Sequence, residues 1–126
     1  LLERVGIAER RSQIAGSLPY GEQRKLEIAR ALAIKPRLLL LDEPTAGMNA
    51  QETLQVLQLI RGLRDELGIT IILIAHDIPL VMNVCHAIQV LNYGKILAQG
   101  DPQTVRNNPE VIAAYLGQTK APIASA

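Results

Sequence analysis

Residues 38–47 read Leu38-Leu39-Leu40-Leu41-Asp42-Glu43-Pro44-Thr45-Ala46-Gly47. Four consecutive leucines leave no polar face, the pattern of a strand buried on both sides in a parallel sheet. The run stops abruptly at two carboxylates and a proline. Upstream, Pro36 ends a stretch of helix formers from Glu22 to Lys35, in which Leu26, Ala29, Leu32 and Ala33 offer one buried stripe. Downstream, Asn49 is an N-cap with Glu52 three residues on, the spacing of a capping box. Leu54, Leu57, Ile60, Leu63 and Leu67 then recur at helical spacing, and Gly68 is the expected stop. A second apolar run, Ile69 to Ala75, ends at His76-Asp77. Strand, helix and strand in that order predict an α/β fold with a parallel sheet. Ligands of such sheets bind beyond the carboxyl ends of the strands. Asp42, Glu43 and His76 all fall there.

The flanking segments are less regular. Residues 1–17 suggest one short helix followed by the loop Ala15-Gly16-Ser17. Past His76, a short helix is expected from Ile78 to Cys85, with Pro79 tolerated in its first turn. Ala87 to Leu91 and Lys95 to Gln99 flank Asn92-Tyr93-Gly94, which predicts a C-terminal β-hairpin with a three-residue loop. Asn108-Pro109 opens a last helix through Leu116, stopped by Gly117, and residues 118–126 read as a flexible tail. Residues 1–117 are thus expected to form the folded part.

Composition narrows the function classes. At 126 residues the chain is one domain or less, and 48% apolar residues mark it as globular. With three Tyr and neither Phe nor Trp, its core has to be aliphatic. A formal net charge of +1 gives no electrostatic case for nucleic acid as a partner. The single cysteine, Cys85, rules out an internal disulfide framework and fits a reducing compartment. No uninterrupted apolar run approaches the roughly 20 residues of a membrane span. The opening Leu1-Leu2-Glu3-Arg4 has neither an initiator Met nor a signal peptide's apolar stretch, and reads as the start of a fragment.

Two readings stand at each polar position. Asp42 and Glu43 make either a solvated strand end or a pair in which one carboxylate supports Mg²⁺ and the other orients or deprotonates an attacking water. The four preceding leucines and the following Pro-Thr-Ala-Gly favour the second. His76 is either a hydrogen-bonded structural residue or a ligand of a terminal phosphate. His86 lacks such placement and reads as structural or exposed. Leu18-Pro19-Tyr20-Gly21-Glu22-Gln23-Arg24 precedes a helix, as an ordinary loop or as a phosphate dock built from a close-approach glycine and a helix N-terminus.

Together these segments resemble the ATP-binding-cassette (ABC) ATPases. Leu18 to Gln23 looks like the signature motif of that family, and Leu38 to Glu43 like its Walker B segment with the catalytic Glu. Pro44 to Asn49 looks like its D-loop, and His76 like its switch histidine. The finer resemblance is to the ATP-binding subunits of branched-chain amino acid importers. It is carried by Leu26-Glu27-Ile28-Ala29-Arg30-Ala31-Leu32, by Ala46-Gly47-Met48-Asn49 and by the ending Asn107 to Gly117. Cassettes for urea uptake or lipopolysaccharide export share the Tyr-Leu-Gly type of ending.

The resemblance implies the C-terminal part of a P-loop NTPase domain that works with ATP and Mg²⁺. Asp42 would support the metal, Glu43 would be the general base and His76 would bind the γ-phosphate. Leu18, Pro19, Tyr20, Gly21, Glu22 and Gln23 would face the nucleotide held by a second ATPase subunit. Asn49 stands where the family usually has the D-loop Asp, at the dimer interface. Transmembrane permease subunits would be the other partners, at the cytoplasmic face of the bacterial inner membrane. Pro19 departs from the usual signature Ser and removes a hydroxyl and an N–H. None of the 126 residues forms the Gly-x-x-x-x-Gly-Lys-Ser/Thr that cradles phosphates, so the chain alone is expected to be inactive. The alternatives are a soluble, non-transport ABC ATPase and a non-enzymatic product competing for dimerisation. An isolated chain of this kind is also expected to self-associate, because its two apolar runs are β-prone and uncharged.

Overall fold

β1, Leu38–Asp42, pairs in parallel with β2, Thr70–Ile74, in the register Leu38 to Thr70 through Asp42 to Ile74. A computed structural model of the chain describes residues 1–116 and places this pair in the first of two compact units, Leu1–His76 and Asp77 onward. The expected tail lies outside the described residues. Around the pair stand α1, Tyr20–Leu32, and α2, Ala50–Leu67, preceded by single 3-10 turns at Ala8–Arg10 and Ala15–Ser17. The irregular start therefore holds two tight turns where one short helix and a loop were expected.

The stripes facing inward are offset from the expected ones. In α1 Ile28, Ala29 and Leu32 are buried with Gly21, while Ala33 is exposed. In α2 the buried set is Val56, Leu57, Ile60 and Leu63, with Leu54 on the outside. The helix ends follow the sequence closely. Asn49 and Glu52 exchange both bonds of a capping box, and Gly68 closes α2 in the left-handed region at φ 61°.

The sheet departs from its expected burial. Leu39 and Leu41 are buried, but Leu38, Leu40, Ile72 and Ile74 are 47, 66, 50 and 59% exposed. Residue partners in a parallel ladder share a face, so these four line one side. Among the described residues one face of β1–β2 is covered and the other is open. A pleated strand apolar on both faces needs a layer on each side, and α1 and α2 are accompanied here by one buried face only.

In the second unit α3, Ile78–Val84, leads to the antiparallel hairpin of β3, Ile88–Asn92, and β4, Lys95–Gly100. The turn has two residues, Tyr93 and Gly94, at φ 46° and 75°, so Asn92 joins the strand instead of the loop. Positive φ at both positions matches the twist of the flanking strands. Two short helices follow, α4 at Pro102–Arg106 and α5 at Pro109–Val111, and the chain continues as a π-helical turn over Ile112–Leu116. Each of α3, α4 and α5 starts from an Asp or Asn cap (Asp77, Asp101, Asn108) followed by a proline in its first turn. The core of this unit is Ile88, Val105 and Val111, packed with Val81, Met82, Cys85, Val90, Leu97 and Ala98. Tyr115 fastens the last turn to the hairpin, its hydroxyl donating to the Leu91 carbonyl at 2.6 Å.

Two outcomes are expected. The isolated chain should scatter light at micromolar concentration, and Leu40→Lys on the open sheet face should suppress that scattering. Because the site is exposed, the unfolding free energy should move by no more than about 0.5 kcal/mol. At Asp101, the backbone N–H and then the hydroxyl of Thr104 hold the carboxyl below its ordinary value. A depressed folded value stabilises the cap above the ordinary carboxylate range and loses it as the pH falls through that lower value. The exchange protection of the Thr104 amide should therefore fall on acidification, and Asp101→Asn, which caps without titrating, should remove that dependence.

Candidate functional site

The parallel register sets Asp42 beside Ile74, so the chain leaves both strands at the same end of the sheet. The Glu43 amide extends the ladder by one bond, donating to the Ile74 carbonyl at 2.8 Å. Glu43 itself has φ 46°, a left-handed conformation that costs a non-glycine residue about 1 kcal/mol. That twist carries its side chain across to β2's exit, where Oε1 lies 2.8 Å from His76 Nδ1. A carboxylate only accepts, so the bond requires the ring proton on Nδ1. Glu43 is half-buried and His76 is 81% exposed, leaving the pair open to a ligand. Asp42 is exposed on the open face of the sheet and its carboxylate takes no hydrogen bond from a described residue.

Beyond Glu43 the chain turns tightly. Ala46 N donates to the Glu43 carbonyl at 3.1 Å and Met48 N to the Thr45 carbonyl at 3.2 Å. Gly47, at φ 75°, brings this loop against the start of α1: a Cβ there would lie 3.5 Å from the Tyr20 ring. The same approach recurs one residue on, where a Cβ at Gly21 would lie 3.3 Å from Glu52 Oε1. Glu52 uses its other oxygen to accept from Asn49 N at 3.0 Å, and returns its own N–H to Asn49 Oδ1 at 3.0 Å. The loop after Glu43, the α2 cap and the first turn of α1 are thus one packed assembly.

At the start of α1, Leu18 is buried and Pro19 occupies the N-cap. The Pro19 carbonyl accepts from the amides of Glu22 and Gln23 at 2.9 and 3.0 Å. Gln23 folds back, its amide donating to the Leu18 carbonyl at 2.7 Å. Glu22 turns toward the N-terminal turn, where Arg10 grips it through Nε at 2.9 Å and Nη2 at 3.2 Å. Tyr20 projects from the surface, its hydroxyl accepting from Arg24 Nη2 at 2.8 Å, with the guanidinium 5.2 Å from the ring centroid. Glu27 first, then Tyr20, hold Arg24 more firmly protonated than usual.

The expected residues therefore divide. Glu43 and His76 meet, and Asp42 stands at the same strand end. Tyr20 and Gly21 pack on the loop and cap that follow Glu43. The side chains of Leu18, Glu22 and Gln23 are engaged elsewhere, so what this turn can present outward is chiefly backbone and Tyr20. Asn49 caps its helix as expected. Among the described residues no three His, Cys, Asp or Glu side chains cluster as a metal cage. A single carboxylate next to phosphate and water suits Mg²⁺, which keeps most of its hydration, and exposed Asp42 fits that chemistry.

Two family models match the sequence: "ABC transporter" over residues 1–46 and "Branched-chain amino acid ATP-binding cassette transporter" over residues 95–121. The matched stretches are those of an ABC transporter ATP-binding domain. It is 50% identical over 117 residues to the high-affinity branched-chain amino acid transport ATP-binding protein LivG of Escherichia coli, covering 93% of this chain and 46% of that protein. BraF of Pseudomonas aeruginosa, of the same printed description, matches at 50% with the same coverage. Among solved structures, cbiO1 of Clostridium perfringens, part of the transporter complex cbiONQ, superposes with a TM-score of 0.79 at 36% identity, covering 89% of this chain and 45% of that one. The cassette described here thus spans about half the length of these relatives. Its strand-end pair and its helix start belong to an ABC ATPase domain, and no described helix is long and apolar enough to cross a membrane.

Sequence reasoning missed three features: the left-handed backbone of Glu43, the seat of Glu52 on Gly21, and Arg10. Only the second left a signal, the Asn49–Glu52 spacing. If Glu52 is what limits Gly21, Gly21→Ala should realise its helix-propensity gain only in a Glu52→Ala background. Urea titrations of the four chains, all carrying Leu40→Lys, should show a coupling of about 0.5–1 kcal/mol.

Proposed function

We propose that this chain is the signature- and Walker-B-bearing portion of an ATPase subunit that energises import of branched-chain amino acids. The observation that carries the reading is the 50% identity to LivG and BraF across 93% of the chain. The match of residues 95–121 to the branched-chain model favours that cargo over urea or lipopolysaccharide.

In this reading ATP lies beyond the ends of β1 and β2, its phosphates held by a P-loop outside these residues. Mg²⁺, when bound, neutralises phosphate charge, and Asp42 is the carboxylate that supports it. Glu43 accepts a proton from the attacking water, and its bond to His76 keeps the carboxylate aimed along the strand ends. His76 contacts the terminal phosphate. The first turn of α1, with Gly21 allowing close approach, faces the nucleotide of a second ATPase subunit, and the loop at Asn49 lies at that junction. Permease subunits receive the resulting closure, with the ATPase peripheral on the cytoplasmic side of the membrane.

Phosphoryl transfer depends on a P-loop lysine and backbone cradle that these 126 residues do not contain, so the chain by itself should release phosphate no faster than background. A cassette in which this chain replaces the matching 46% of LivG should hydrolyse ATP and restore leucine uptake to cells lacking LivG. Glu43→Gln should lower its turnover by about 100-fold or more. Turnover independent of Glu43, or hydrolysis by the isolated chain, would overturn the reading.

A further inference from the structure

We infer that Arg10 is a positioning residue of the nucleotide site: by clamping Glu22 it cancels a carboxylate charge that the first turn of α1 would otherwise present to a phosphate. The inference rests on the proposed function above. An anion approaching this turn meets two acidic side chains, Glu22 in the turn itself and Glu52 seated beside Gly21. Glu52 already spends one oxygen on the Asn49 amide. Both oxygens of Glu22 go to Arg10, one to Nε at 2.9 Å and one to Nη2 at 3.2 Å. The paired fork geometry is the strongest form of a carboxylate–guanidinium contact and fixes orientation as well as charge. The pair is partly shielded, with side-chain exposures of 41% for Arg10 and 25% for Glu22, so solvent screens it less than a surface pair.

The other charges of this region do not substitute for Arg10. Arg24 is held by Glu27 and by the Tyr20 hydroxyl. Lys25 reaches across to Gln55 at 3.2 Å. The helix dipole favours an anion at this end, but Glu22 itself takes up part of that field. Without Arg10, Glu22 would stand as an uncompensated negative charge in the turn that has to meet a polyanion.

The test is a charge-rescue comparison in the LivG cassette described above, with Glu43→Gln present to hold ATP and ATP-driven dimerisation followed by analytical ultracentrifugation. Arg10→Ala should raise the ATP concentration needed for dimerisation about five- to tenfold, the size of one like-charge repulsion across several ångströms of partly screened protein. Adding Glu22→Gln to Arg10→Ala should restore most of that loss, although the ion pair is broken in both proteins and their nucleotide-free melting temperatures should be alike. If the pair is only a staple between the N-terminal turn and α1, the double variant dimerises no better than Arg10→Ala. That result, or an Arg10→Ala protein that dimerises like its parent, overturns the inference. A parent cassette that never dimerises with ATP would instead sink the functional reading, and the inference with it.

Discussion

Five parallel residue pairs between β1 and β2 hold the arrangement of the site. Because the strands run the same way, the chain leaves both at one end, and the groups that follow each strand are neighbours without any further device. Slipping the ladder by one residue would move Leu39 and Leu41 to the open face and carry Glu43 away from His76. The register of the ladder therefore also fixes the carboxylate–imidazole pair. Strand pairing and the placement of these groups share one determinant here, as is usual where a site sits on rigid elements and not on free loops.

The same economy appears in the loop beyond Glu43. Gly47 lies against Tyr20, and Gly21 lies against Glu52, so two glycines from different segments allow two backbones to close on each other. Glu52 belongs to a helix cap and to the floor of the first turn of α1 at once. A change in the cap is thereby felt at the turn, and a movement of the turn is felt at the residues just after Glu43. In the proposed dimer cycle, such shared side chains would carry strain between the two segments.

How far the sequence reveals this can be followed residue by residue. The two strands, both long helices, the Asn49–Glu52 box and the Gly68 stop were legible because each depends on local spacing. That Asp42, Glu43 and His76 share one end of a parallel sheet was legible from the two strand ends, but the bond between Glu43 and His76 was not. The failures have equally physical sources. α4 was overlooked although Asp101-Pro102 has the same cap-then-proline form as Asn108-Pro109, which was recognised. Asn92 was placed in the loop because two positive-φ residues suffice for the turn. Arg10 escaped because it sits in an irregular segment and reaches a partner twelve residues away, which no periodicity records. Burial of both faces of β1 was inferred from composition, and composition cannot say how many layers surround a strand.

The left-handed backbone at Glu43 has a consequence for how this position varies over time. Glycine or asparagine would occupy that conformation with less strain than glutamate, so the backbone there exerts no pull toward keeping the acid. Copies of the gene released from their duty could drift at this codon and still produce a well-folded polypeptide. Under the proposed function, retention of glutamate at this position would reflect its chemical use and its bond to His76, not a demand of the backbone.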